Sequence, residues 1–318
     1  MKVLVSRICA EVVKIVEVLA GSKPKLTLWR TRCLVWAGHY LDAIIYAAPR
    51  LGQTRDDARL HYSVGQAALN LMKRNYARSR MAYATALDPA NVRYRFALAY
   101  CAQILNQYET AQREYLNVLR QTPRDLNARL NLALLRKAMG KHEQALTGFN
   151  EVLDSRPKEI KALIGAAICH YELGSLDQAK RLATRCAKVD DTYVRAQVIL
   201  GRIALAQEDS ATALVHFEAA RKIEPEDGYV LASLGRLYMA DNPPQARHLL
   251  REALIVSRPD RSAHFDLGQY YEIVRDLERA IAEYQLFSRF HTGGRANWAR
   301  KRVIRLREKI LVGTDKRE

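Results

Sequence analysis

Acid is scarce in this sequence relative to base. Only 34 Asp and Glu stand against 51 Lys and Arg, leaving a formal charge of +17. Such a balance points to an anionic partner, whether acidic protein, nucleic acid or lipid headgroup, and says nothing about fold. Chemistry-bearing motifs are also missing. The chain has no GxxxxGK(S/T), no GxGxxG after a strand, no HExxH and no GxSxG, so it lacks a phosphate cradle, a dinucleotide turn, a zinc pair and a nucleophile elbow. Its eight histidines include no i, i+4 pair, and its five cysteines form no CxxC. An odd number of cysteines without plausible pairing argues against a disulfide framework and suits a reducing compartment. Long apolar runs are lacking too: Arg7, Glu11, Lys14 and Glu17 interrupt the stretch 1–20, which speaks against a signal peptide or a membrane span. The expectation is a cytoplasmic, non-enzymatic chain with no cofactor, no metal and no small-molecule substrate.

What is present is a period. Ala43, Ala77, Ala111, Ala145, Ala179, Ala213, Ala246 and Ala280 are spaced by 34 residues five times, then by 33, then by 34. Pro89, Pro123, Pro157, Pro225 and Pro259 form a second ladder, with Asp191 in its vacant rung. A fixed period of this size marks a stacked-repeat architecture in which no unit buries its apolar face alone. Within 58–91 the apolar positions Leu60, Val64, Ala67, Ala68 and Leu71 keep helical spacing, and Ala77, Met81, Ala84 and Leu87 resume it after a polar turn. Two such stripes joined by a few polar residues read as an antiparallel helix pair. Pro89 ends the second helix, because it lacks an N–H and drives the preceding residue out of the helical region. Cys33, Cys101 and Cys169 share one repeat position with Ala67, Leu135, Ile203 and Leu237, so they read as small core residues.

Gly65, Ala77, Ala84 and Pro89, and again Leu200, Gly201, Ala213, Phe217, Ala220 and Pro225, make the chain resemble the tetratricopeptide repeat (TPR) family. The resemblance implies an all-α, right-handed superhelical solenoid of about eight antiparallel helix pairs with an extra helix at each end. The repeats are 24–57, 58–91, 92–125, 126–159, 160–193, 194–227, 228–260 and 261–294, preceded by 1–23 and followed by 295–318. Repeat 160–193 lacks the proline. Repeat 228–260 is one residue short, and Asn242-Pro243-Pro244 at its internal turn reads as an N-cap and first helical positions of an unbroken stack.

The two ends are amphipathic. Leu4, Val5, Ile8, Val12, Ile15, Val16 and Leu19 share one side of a helix that either packs on the first repeat or lies on a membrane surface. In the C-terminal segment, Ala299, Val303, Leu306 and Ile310 form a narrow apolar stripe. Lys301, Arg302, Arg305 and Lys309 are expected on the opposite face as an anion-binding surface. A terminal helix with one apolar and one charged face is what a repeat stack needs to close it.

In the family, positions 2, 5, 9, 12 and 13 of each repeat face a concave groove. Carried over residue by residue, the resemblance implies a partner-binding groove lined by Arg59, Tyr62, Gln66, Arg93, Phe96, Tyr100, Lys137, Lys161, Tyr171, Arg195, Arg202 and Arg236, with Lys25, Arg32 and Trp36 in the first repeat. Glu172 and Glu272 are the only acids at these positions, while Phe96 and Phe265 also suit core packing. Arginine among aromatics is what binding hot spots favour. Position 5 holds Leu28, Tyr62, Phe96, Leu130, Ile164, Val198, Ala232 and Phe265. It never holds lysine, so the family's chaperone-type carboxylate clamp is not carried over. The expected function is a scaffold, adaptor or chaperone-like module that holds an acidic or extended protein segment. The alternatives are sequence-nonspecific RNA binding and a peripheral-membrane assembly factor anchored through 1–20.

Overall fold

The computed structural model describes residues 24–51, 57–257 and 261–314. Among these residues it contains seventeen α-helices and no strand. The chain divides into two compact units, Met1–Gly165 and Ala166–Glu318. The first holds α1 Pro24–Ala37, α2 Tyr40–Leu51, α3 Ala58–Asn70, α4 Arg74–Leu87, α5 Val92–Ile104, α6 Tyr108–Gln121, α7 Leu126–Ala138 and α8 His142–Ser155. Helix α9, Ile160–Glu172, carries the boundary. The second unit continues with α10 Leu176–Val189, α11 Val194–Ala206, α12 Ser210–Ile223, α13 Gly228–Leu237, α14 Pro243–Val256, α15 Ala263–Ile273, α16 Leu277–Phe290 and α17 Gly294–Thr314. The amphipathic stretch 1–20, with Cys9, lies outside the described residues.

Several first helices start where an acid or amide caps them. Asp57, Asp125 and Asp227 each accept two backbone N–H groups of the following turn, and Asn91 accepts that of Arg93. Each cap satisfies donors that the first helical turn leaves open. Asn242 likewise caps α14, with proline at the first helical positions, so the shortened repeat keeps its helix pair as expected.

All eight ladder alanines are fully buried. They let the two helices of a repeat approach, and larger side chains fill the layer behind them. In the first unit Tyr115 packs among Ala99, Ala102, Ala111, Leu132 and Leu135. In the second, one continuous core runs from Ala204 to Leu306. At Gly268 the helices approach so closely that an added Cβ would lie 2.5 Å from the Tyr284 ring; only glycine fits there. Cys101, Cys169 and Cys186 are buried. Burial pushes the Cys101 thiol up to about 12 and the Cys186 thiol up to about 11, as befits core residues and not reactive ones.

The internal turns share one device that composition does not announce. Gly38, Met72, Asn106, Gly140, Gly174, Glu208 and Arg275 all take positive φ at the same repeat position. The following N–H reaches back five residues in each case, as Lys73 to Ala68 (2.9 Å) and Asp209 to Ala204 (2.9 Å) do. This is the left-handed helix stop that satisfies the last carbonyls. The shortened repeat lacks that stop: Asn242 stands at the position in an extended conformation, φ −141°.

Within each unit the first helices of some neighbouring repeats also touch, α1 with α3 and α5 with α7 in the first, and α13 with α15 in the second. Second helices show no comparable contact among the described residues. The first helices therefore lie on the inner side of each unit. Helix α17 packs on α16 and buries Ala296, Ala299, Val303 and Leu306, which gives the last repeat its cover.

Candidate partner-binding surface

On the inner side of the first unit, the first turns of α3 and α5 set arginine beside tyrosine. Arg59 and Arg93 are exposed, while Tyr62, Gln66 and Phe96 are half-buried and Tyr100 is exposed. The Tyr62 and Tyr94 rings meet at 4.9 Å, and the Gln66 side-chain amide donates to the Tyr62 hydroxyl at 3.1 Å. Burial raises the Tyr62 pKa and Arg93 opposes it, while Arg59 acts on Tyr94 in the same sense. The guanidinium groups thus sit within electrostatic reach of the two rings. Tyr62 keeps its proton and remains a donor at neutral pH. Phe96 turns its edge to Tyr115 at 5.6 Å, so it supports this surface from the core side.

Next to this cluster, α1 and α3 enclose a cleft of about 640 Å³ lined by Trp29, Arg32, Trp36, Tyr40 and Gln66, among others. Trp29 and Trp36 are 43% and 55% exposed. Trp29, Arg32 and Trp36 follow i, i+3, i+7 spacing, which puts them on one helix face. The repeat template misses Trp29, because its position is not a groove position; the spacing of the two tryptophans alone reveals it. Arg32, Arg59 and Arg93 make no ion pair among the described residues. Lys137 is half-buried and Lys161 exposed.

The second unit treats its inner arginines differently. Arg202 stacks on Tyr171 at 4.4 Å and donates to Glu172 at 3.1 Å. Arg236 donates to Asp266 at 3.3 Å and to the Ser233 hydroxyl at 3.0 Å. Arg302 holds both carboxylate oxygens of Glu272, whose Oε1 also accepts from the Tyr284 hydroxyl at 2.7 Å. All three ion pairs join residues 30 apart in sequence. In a repeat of 34 this separation places the partners on adjacent first helices, displaced by one turn. Burial raises Asp266 above its ordinary value despite Arg236 and Arg295. Burial also pushes Glu272 up, but the bonds from Arg302 and Tyr284 outweigh it and leave that carboxyl below its ordinary value.

One expectation changes here, and one left open is decided. Arg302 is not on the outward face of α17 with Lys301, Arg305 and Lys309: it is committed to Glu272, because residue 302 adjoins buried Val303 and flanks the apolar stripe. Lys301, Arg305 and Lys309 are exposed. Phe265 is core, only 7% exposed, against Tyr284, Phe287 and Trp298. Arg195 remains exposed without an ion pair among the described residues.

Residues 130–180, 165–228 and 234–289 match a family model described as tetratricopeptide repeat. This chain is a TPR protein. Its fold resembles that of a TPR protein from Parabacteroides merdae, at 17% identity over 80% of this chain and 99% of that one, with a TM-score of 0.63. IFIT1 solved with Gppp-AAAA is similar at 17% identity over 98% of this chain and 80% of that one, TM-score 0.62. The APC/C hetero-tetramer Cut9–Hcn1 matches at 13% identity over 82% of this chain, TM-score 0.62. The TPR chain spans about half (52%) of the Cut9–Hcn1 chain it matches. No curated protein sequence matches it. At these identities the likeness speaks for the fold. Among the described residues no helix is long and apolar enough to cross a membrane.

Proposed function

We propose that this TPR protein is a non-enzymatic scaffold or adaptor, and that the inner side of its first unit holds an acidic, extended segment of a partner protein. The observation that carries this reading is a set of guanidinium groups without an ion pair among the described residues, Arg32, Arg59 and Arg93, set among the half-exposed rings of Trp36, Tyr62 and Tyr100. Aromatic rings provide contact area at small entropic cost, and arginine provides carboxylate recognition in a planar, two-pronged geometry. The cleft between α1 and α3 is of the size that takes an anchoring side chain. Arg195 and Lys161 extend the candidate set, whereas Arg202 and Arg236 serve it less, since each already has a carboxylate.

The test is capture from lysate by the intact protein and by an Arg59→Glu/Arg93→Glu variant, with and without nuclease treatment. A partner retained by the wild type after nuclease and lost by the variant supports the reading. Its association should slow as salt rises while its apolar contacts persist. A variant that captures the same proteins as the wild type refutes it.

A further inference from the structure

We propose that the outward face of α10 is a second, separate binding site, and that its ligand is the phosphate backbone of a nucleic acid. Lys180, Arg181, Arg185 and Lys188 are all exposed, and with Thr184 and Asp177 they line a surface cleft of about 620 Å³. The reason lies in the helix period. Ala179, Ala183 and Cys186 turn inward and are fully buried, so the positions between them project the cations outward. Lys180, Thr184 and Lys188 follow i, i+4, i+8 spacing, a row about 12 Å long at 1.5 Å per residue. Asp177 is the single acid of the cleft and stands in the first turn, where it complements the helix dipole. Asp209, within electrostatic reach of Lys180, is engaged in capping the N–H of Thr212.

The chemistry of the face selects among anionic partners. Helix α10 contains no aromatic residue; Ala179, Ala183 and Cys186 are buried, and its exposed Val189, at the last position, does not line the cleft. A protein partner would want an apolar or aromatic anchor, as on the first unit's inner side, and none is offered here. Point cations around a hydroxyl, without a stacking platform, suit sequence-independent contact with phosphates. This site is independent of the inner-face reading and stands or falls apart from it.

The probe is a fluorescein-labelled oligouridylate, titrated with the full chain between about 50 and 200 mM salt. The wild type should bind with a log–log salt slope of about −2 to −3, since three or four phosphates are neutralised at roughly 0.7 each on a single strand. The variant Lys180→Gln/Arg181→Gln/Lys188→Gln spares Arg185, keeps the exposed face polar, and should melt like the wild type. Its affinity should fall about tenfold or more at the lower salt and its slope should shrink by about 2. A control with Lys73→Gln/Arg74→Gln/Lys158→Gln, at exposed positions given no binding role, removes the same net charge elsewhere and should keep wild-type binding within about twofold. Equal loss in both variants would make net charge, and not this face, the cause and overturn the proposal. It is also overturned if the α10 variant binds like the wild type, or if the wild type binds no RNA at low salt. A glutamate-rich peptide or phosphatidylserine vesicles bound through α10 in place of the oligouridylate would overturn it as well.

Discussion

The inner sides of the two units are built from the same repeat and both carry arginine at groove positions, but Arg59 and Arg93 in the first stay open while Arg202 and Arg236 in the second are engaged. Arg59 and Arg93 stand at position 2, one repeat apart, and make no ion pair among the described residues. Arg202 and Arg236 stand at position 9 and meet Glu172 and Asp266 on adjacent helices. A basic residue at a groove position is therefore not yet a binding residue. What decides is whether an acid stands about 30 residues away, one repeat minus one turn. In the second unit Arg202 and Arg236 join neighbouring repeats, while Arg59 and Arg93 in the first are left for something else.

The comparison presumes that both units pack in the same way, and this can be tested hardest. Ala145→Arg in the first unit and Ala213→Arg in the second should each destabilise their unit by several kcal/mol, since both sites are fully buried and would take in excess volume and an unpaired charge. Thermal unfolding followed by circular dichroism reads the loss. A melting temperature unchanged by either substitution would show that the shared register is wrong there.

The contrast between paired and unpaired arginine then predicts opposite outcomes for similar mutations. Arg93→Ala should leave stability within about 0.5 kcal/mol of wild type and weaken partner capture. Arg236→Ala should cost about 1–3 kcal/mol, because it strips the hydrogen-bonding guanidinium from Asp266, whose side chain is only 5% exposed. Its effect on capture should be small. Equal stability of the two variants would erase the distinction between the units.

A smaller effect sharpens the account of the second unit. Glu272 has a folded-state pKa below its ordinary value of about 4.5, so its contribution is present above that value and lost as pH falls through the lowered pKa. Asp266 has a folded-state pKa above its ordinary value of about 3.8. Its contribution is present below that value and lost as pH rises through the raised pKa. Melting temperatures taken from neutrality into the acid range should show the advantage of wild type over Glu272→Gln shrinking. Relative to Asp266→Asn, wild type should instead gain. Parallel curves for both variants would mean that the two carboxyls share one environment, contrary to the geometry.

How much of this was readable beforehand follows from period and spacing. The ladder alanines and the apolar stripe of α17 are local or periodic features, and a period survives translation into space. The cap at Asn242 was readable because Asn-Pro is a local signal. Trp29 was hidden because its importance comes from the cleft beside α3 and not from its repeat position. Arg302 was misplaced because a helical wheel gives a face but not the neighbouring Glu272 beyond it. The unpaired state of Arg59 and Arg93 could be inferred only by searching one repeat away for acids, a comparison that position-by-position reading omits.

The turn position offers the smallest and most local test. Met72 in the first unit, and Glu208 and Arg275 in the second, hold φ of 57°, 61° and 59°, a conformation that costs an L-residue roughly 1–2 kcal/mol. Their side chains are exposed, so truncation removes little packing. Glycine relieves the strain but brings extra unfolded-state freedom, which takes back about 0.5–1 kcal/mol. Each single change to glycine should therefore raise stability by up to about 1 kcal/mol, whereas Asn106, the fourth non-glycine residue in this conformation, should gain less because asparagine tolerates the left-handed region better. Gly140→Ala at the equivalent position should lose a similar amount. Separate melting of the two units, followed by hydrogen exchange at α4, α12 and α16, would show where the gain falls. No gain at any of the three sites would mean that the turn hydrogen bonds hold these residues without measurable strain.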